Sequence, residues 1–167
     1  MNLTALGITP IVIFNGVVWF FFTFAYFYQI VYLIRVMFKG DVVLPQAKKH
    51  HRYAFVIPAH NEESVVGNLV TSILSQKYEG TIDCYVIADA CTDKTFERAQ
   101  AAGAITWARN DLVRKGKSWV LDYAFNRILD EKPNAYDAFF IMDADNILSP
   151  NYVEIMNQAF DAGYLVC

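Results

Sequence analysis

The pattern of apolar and polar positions divides this chain into two parts. From Ile8 to Ile34 apolar residues run almost unbroken through Val17-Val18-Trp19-Phe20-Phe21-Phe22 and Tyr32-Leu33-Ile34, with Asn15 and Gln29 as polar interruptions. About 20 apolar residues cross a bilayer as a helix, so this run predicts one transmembrane helix within residues 1–34. Residues 35–52 are polar and basic around Gly40, Asp41 and Pro45 and read as a juxtamembrane linker. From Tyr53 onward short apolar runs alternate with helical spacing. The runs predict strands at Tyr53 to Pro58, Ile82 to Ala88, Ala104 to Ala108 and Ala138 to Met142. Pro58 is expected to stop the first of them, since proline cannot donate to a sheet ladder.

Four helices are predicted between and after these strands. Val66, Leu69, Val70, Ile73 and Leu74 recur at helical spacing behind Asn61 as N-cap, with Glu62 and Glu63 complementing the positive helix end. Phe96, Ala99 and Ala102 mark a short helix closed by Gly103, and Val120, Tyr123, Ala124 and Ile128 form one side of a helix from Lys117 to Leu129. The last helix takes Ser149 as cap and Pro150 as first residue, carries Val153, Met156 and Phe160 as its stripe, and ends at Gly163. Strands alternating with amphipathic helices predict an α/β domain over residues 53–167, a mostly parallel sheet with helices on both faces. Tyr164 to Cys167 reads as the start of a further strand, so the chain is expected to be part of a longer protein.

Charge orients the two parts. Residues 1–10 carry no Lys or Arg, whereas Arg35, Lys39, Lys48, Lys49 and Arg52 follow the apolar run. The positive-inside rule then places the N-terminus outside a cell membrane and the domain in the cytoplasm, with the basic flank near anionic headgroups. A cleaved signal peptide would need a basic start, a shorter apolar region and a small-residue cleavage site. The net charge of -3 argues against nucleic acid as a partner. Cys84, Cys91 and Cys167 form no CxxC pair and no metal-ligand spacing with the histidines, which fits reduced thiols.

Three polar clusters fall at the ends of predicted strands: Pro58-Ala59-His60-Asn61-Glu62, Asp89 with Asp93, and Asp143 with Asp145. In a parallel sheet all three share one edge, where ligands of open α/β sheets bind. A carboxylate at such an edge can accept from a base imide or a ribose hydroxyl. Beside phosphate it acts through a cation, and Mg²⁺ or Mn²⁺ is commonly held by one or two carboxylates together with phosphate oxygens. The constellation therefore fits a nucleoside diphosphate bound with a metal. Each cluster also has a plainer role, in helix capping for Asn61-Glu62-Glu63, in loop and cap for Asp89 and Asp93, and in a solvated loop for His60. No GxGxxG or GxxxxGK(S/T) loop offers the dinucleotide or P-loop manner of holding phosphate.

Ile57-Pro58-Ala59-His60-Asn61-Glu62-Glu63, Val86-Ile87-Ala88-Asp89-Ala90-Cys91-Thr92-Asp93, Arg114-Lys115-Gly116-Lys117 and Met142-Asp143-Ala144-Asp145-Asn146 together resemble the ordered motifs of family 2 glycosyltransferases with the GT-A fold. The resemblance covers everything from Tyr53 onward. It implies a metal-dependent, inverting transferase that uses a nucleotide-sugar donor, most often a UDP-sugar, and a glycan or lipid-linked acceptor. It also implies that Pro58, Ala59 and Glu62 lie along the nucleoside, that Asp89 contacts the base, and that Gly116 and Lys117 sit near the nucleotide. Asp143 is then expected at the ribose or the metal's water shell, and Asp145 on Mg²⁺ or Mn²⁺. The family's catalytic base and the Gln-x-x-Arg-Trp element of its polymerising members are expected beyond Cys167. Two rivals are a membrane-tethered binding module without catalysis and a haloacid-dehalogenase-type phosphatase. The latter also has Asp-x-Asp after an apolar strand, but on its first strand.

Overall fold

The computed structural model describes residues 9–38 and 43–164. The chain separates into two compact units, Met1–Val43 and Leu44–Cys167. The first holds α1 (Pro10–Phe38), 29 residues with none buried, long and apolar enough to cross a membrane. At ~1.5 Å per residue such a helix exceeds a hydrocarbon core of ~30 Å.

The second unit alternates β1 (Tyr53–Ala59), α2 (Val66–Leu74), β2 (Ile82–Asp89), α3 (Thr95–Ala101), β3 (Ile105–Arg109), α4 (Lys117–Glu131), β4 (Ala138–Ile141) and α5 (Tyr152–Asp161). The four strands form one sheet in the order β3-β2-β1-β4, and every neighbouring pair is parallel. The central strand shows why its sequence is a continuous apolar run. Successive side chains point to opposite faces, so Tyr53, Phe55 and Ile57 join Leu69, Val70, Ile73 and Val153 on one side. Ala54 and Val56 meet Val120, Ala124 and Ile128 of α4 on the other. Phe55, Val56 and Ile57 are completely inaccessible. β1 lies between β2 and β4; α2 and α5, which follow β1 and β4, share one face of the sheet, and α4, which leads from β3 to β4, covers the other. The carboxyl ends of all four strands lie at one edge, where ligands of open α/β sheets bind.

Several boundaries differ from the sequence reading, each for a tertiary reason. β1 runs through Pro58 to Ala59. Val56 accepts from Met142 N at 3.2 Å, so Pro58, two residues on, also turns its nitrogen toward β4, which has already ended at Ile141. The missing N–H therefore costs nothing. Asn61 is not the cap of α2, which starts at Val66 after a turn. Ser149 and Pro150 precede α5 rather than opening it; Tyr152 N bonds Ser149 O at 3.1 Å in a turn, and Asn151 is the cap residue.

The predicted linker is shared between the two units. α1 extends to Phe38, and from Lys48 the backbone is held by α5. Lys48 N donates to Asp161 Oδ2 (2.8 Å), His51 N to Asn157 Oδ1 (3.1 Å), and Asn157 Nδ2 to Lys49 O (3.0 Å). Of the further strand expected from Tyr164 to Cys167, only Tyr164 lies among the described residues, and it is in neither helix nor strand.

Candidate functional site

At the carboxyl edge of the sheet lies an open cleft of about 590 Å³. Four separate segments line it: Pro58, Ala59 and Glu62 from the β1 end, Asp89 from the β2 end, Gly116 and Lys117 from the start of α4, and Asp143 after β4. These are the residues that the strand-end argument and the resemblance assign to a nucleotide. Asp145 is exposed and is not part of the cleft lining; Ala144 between the two aspartates is anchored at 4% exposure, and Asn146 N closes the turn onto Asp143 O at 3.2 Å.

The loops after β1 and β2 are tied into one rim. Asn61 adopts φ 55, in the left-handed region that Asn tolerates better than most residues, and its Oδ1 accepts from Thr92 N at 2.8 Å. Glu62 N donates to Thr95 Oγ1 (2.7 Å), which donates in turn to Asp93 Oδ1 (2.6 Å). Glu63 N donates to Asp93 Oδ2 (3.1 Å), and Lys94 N to Glu63 Oε2 (2.9 Å). Desolvation opposes the charge on Asp93, but the bonds from the Thr95 hydroxyl and amide and the Glu63 amide outweigh it and hold the carboxyl below its ordinary range. Asn61, Glu63 and Asp93 are thus occupied in shaping the rim, which leaves Glu62 for the cleft. His60 Nδ1 lies 2.6 Å from Asp89 O; a carbonyl only accepts, so this nitrogen carries a proton.

Two residues that the sequence reading did not single out shape the opposite side: Asp111 lines the cleft, and Arg109 holds that loop from behind it. Arg109 closes β3 and is 7% exposed. Its Nη1 meets Asp89 Oδ1 at 2.5 Å, while Nη2 donates to Arg114 O at 2.6 Å and lies 3.4 Å from Asp111 Oδ2. Asp111 Oδ1 accepts from the amides of Arg114 (3.0 Å) and Val113 (2.9 Å), and those bonds hold its carboxyl below the ordinary carboxylate range. A signal was present in the sequence: an Arg ending one strand beside an Asp ending the next. Only the register Asp89↔Arg109 turns it into a contact.

Gly116 caps α4 with φ 106 and ψ 159, a backbone region essentially closed to other residues. That conformation brings Lys117 to the cleft mouth, where Nζ meets Asp143 Oδ1 at 2.5 Å; both side chains are at least half exposed. Asp143 is the carboxylate at this mouth, and Asp145 follows it two residues on in the same turn, outside the cleft lining. Among the described residues no group of three or more His, Cys, Asp or Glu is placed to hold a metal ion. A donor set of two carboxylates is what Mg²⁺ or Mn²⁺ uses when phosphate oxygens complete its shell. The residues therefore fit a cation held jointly with a diphosphate.

Residues 50–166 match the family model described as "Glycosyltransferase like family 2". The chain belongs to this family. Its α/β unit is GT-A-like, as solved structures show. Mannosyltransferase PcManGT from Pyrobaculum calidifontis, solved with GDP-Man and Mn²⁺, superposes with a TM-score of 0.59 at 19% identity, over 76% of this chain and 36% of that one. Glucosyl-3-phosphoglycerate synthase from Mycobacterium tuberculosis, solved with Mn²⁺, UDP and phosphoglyceric acid, gives 0.51 at 25% identity over 65% of this chain and 39% of that one. S. aureus TarS gives 0.53 at 16% identity over 66% and 20%. The chain thus spans about two-fifths or less of the length of these proteins. No functionally curated protein matches it. Family membership also displaces the phosphatase reading, consistent with Asp143 following the fourth strand in chain order rather than the first.

Proposed function

We propose that this glycosyltransferase domain binds a nucleotide-sugar donor in the cleft at the carboxyl edge of its sheet and supports transfer of the sugar, with inversion, to a glycan or lipid-linked acceptor. The observation that carries the proposal is the convergence of four distant segments on one cleft whose mouth combines Lys117 with Asp143. Glu62 and Asp89 would lie along the nucleoside, with Pro58 and Ala59 as the apolar floor. Lys117 and the turn Asp143–Asn146 would face the diphosphate. Mg²⁺ or Mn²⁺, held by Asp143 and Asp145 with phosphate oxygens, would supply Lewis-acid stabilisation of the departing diphosphate. Lys117, now paired with Asp143, would be released to phosphate when a cation takes the carboxylate. Identity of 25% to a synthase solved with Mn²⁺ and UDP supports the choice of metal and donor class.

We further propose that α1 spans a membrane, with the N-terminus outside and the α/β unit cytoplasmic, on the strength of its length and the basic residues that follow it. Calorimetric titration of UDP into the full chain in detergent, with and without Mn²⁺, tests the site. Metal-dependent binding that Asp145→Asn abolishes supports the proposal; folded protein that binds no nucleotide diphosphate overturns it. For orientation, protease added to sealed vesicles containing the full chain should spare the α/β unit when the cytoplasmic side is enclosed. Digestion of the unit in such vesicles would refute the orientation.

A further inference from the structure

The turn that carries Asp143 and Asp145 is moored at both ends, and the second mooring comes from α2. On the β4 side, Met142 N donates to Val56 O at 3.2 Å, and the buried Ala144 side chain pins the turn between the two aspartates. Asp145, Asn146 and Ile147 are then exposed, and Asp145 has no hydrogen-bond or ion-pair partner among the described residues. The next anchor is Leu148, whose side chain packs on the core and whose amide donates to Ser72 Oγ at 3.2 Å. Gln76, just beyond α2, holds the segment that follows. Its Nε2 donates to Ser149 O (2.8 Å) and Ser72 O (2.9 Å), and its Oε1 accepts from Val153 N (3.0 Å). Two carbonyls on one side and an amide on the other fix that orientation of the side chain. Lys77 N adds a bond to Pro150 O at 3.1 Å.

From this geometry, and resting on the reading above in which Asp143 and Asp145 hold a divalent cation with a diphosphate, we infer that Ser72 and Gln76 are positioning residues for that cation. Neither lines the cleft; both act by fixing the leg of chain that follows Asp145. Asp143 stays on the β4 side of the Ala144 anchor, where Met142 and Lys117 hold it, so loosening the far leg frees Asp145 and spares Asp143. A cation is held tightly where its ligands are already in place. A freed Asp145 has to be fixed again, backbone included, each time the cation binds. The same helix joins this leg to the nucleoside side of the cleft. Val65 N and Val66 N donate to Glu62 O at 3.1 and 3.0 Å as α2 begins, Ser72 lies in its last turn and Gln76 just after it. α2 is thus a strut of nine residues between the Glu62 rim and the turn that carries the two aspartates.

The test is titration of Mn²⁺ into the full chain in detergent with UDP present, read by the electron paramagnetic resonance signal of free Mn²⁺, beside titration of UMP without metal. UMP lacks the second phosphate and reports the nucleoside side alone. Gln76→Met keeps the length of the side chain without its bonds, and Ser72→Ala removes the partner of the Leu148 amide. Each is expected to weaken Mn²⁺ by about 10-fold, the cost of fixing the backbone of one freed residue again, while UMP binding stays within about twofold. Urea unfolding gives the folded fraction, and Ser72→Ala, the milder change, decides if Gln76→Met does not fold. A purely structural role would lower the number of Mn²⁺ sites with the folded fraction and leave the affinity of the remaining sites unchanged. That result in both variants overturns the inference, as does a loss of UMP binding as large as the loss of Mn²⁺. Wild-type chain that binds UDP but takes up no Mn²⁺ overturns the metal reading, and wild-type chain that binds neither overturns the nucleotide reading; the inference falls with either.

Discussion

Asn157 is buried in α5 at the amino-terminal end of the sheet, opposite the cleft, and its replacement should be among the most damaging in the α/β unit. Its Oδ1 accepts from Tyr53 Oη at 2.9 Å and from His51 N at 3.1 Å, and its Nδ2 donates to Lys49 O at 3.0 Å. Tyr78 Oη has a single proton to give and lies 2.6 Å from His51 O and 3.0 Å from Asn157 Oδ1, so it prefers the backbone. Burial is the main reason that the Tyr78 hydroxyl is pushed up to about 12 and that of Tyr53 further, so both remain donors at any working pH. Asn157→Ala removes three bonds and strands the Tyr53 hydroxyl and the His51 amide away from water. At about 1 kcal/mol for each lost bond, and more where the partner stays buried and unpaired, the loss is about 3–5 kcal/mol. That is a large share of the ~5–15 kcal/mol by which domains are stable. Urea unfolding in detergent, followed by tryptophan fluorescence, measures it. Tyr53→Phe alone should cost about 1–2 kcal/mol, and the double variant should be no less stable than Asn157→Ala, because the stranded hydroxyl is gone. If the two losses simply add to within about 0.5 kcal/mol, the residues are not coupled and the reasoning is refuted. A second readout is trypsin cleavage after Lys48, Lys49 and Arg52, which should accelerate in Asn157→Ala.

Three further outcomes follow from the geometry. Lys117→Ala should leave urea stability within about 0.5 kcal/mol, since its partner is well exposed and surface pairs contribute little, while weakening UDP binding; a matching loss of stability would assign Lys117 to folding. Gly116→Ala should weaken the unit by about 1–3 kcal/mol, because φ 106 with ψ 159 strains any side chain although no atom obstructs the added Cβ; unchanged stability would show that the loop readily adopts another conformation. Asp161 is held below the ordinary 3.8 chiefly by the amide of Lys48, and Asp137 chiefly by the amide and side chain of Arg52. Both carboxyls titrate lower folded than unfolded, so their contribution is complete above that ordinary value and is lost as pH falls through the folded values. Urea midpoints should therefore drop below about pH 4, and Asp161→Asn should flatten that drop; an unaltered profile would refute the assignment.

Much of the architecture is local and therefore legible in the chain itself. The apolar length of α1, the runs of β1 and β2 and the helical stripe of α4 come from period and burial alone, and these signals do not depend on which strands become neighbours. The strand-end clusters were legible for the same reason, since a parallel α/β unit presents every such end at one edge. Tertiary structure decided what each polar residue at that edge does. Asn61, Glu63 and Asp93 have the composition of helix caps, yet they join two loops, because α2 and α3 start beside one another and their free amides find partners across the gap. Pro58 is admitted to a central strand only because β4 stops short of it. The position of Arg109 at a strand end was visible in the sequence but its partner was not; a side chain closing a strand or facing inward from a helix acquires its role from register, here Asp89 beside Arg109 and Tyr53 beneath α5. Periodicity determines which face of an element is buried, whereas the partner of a buried polar group is set by contacts between residues distant in the chain, and those exist only once the sheet has assembled.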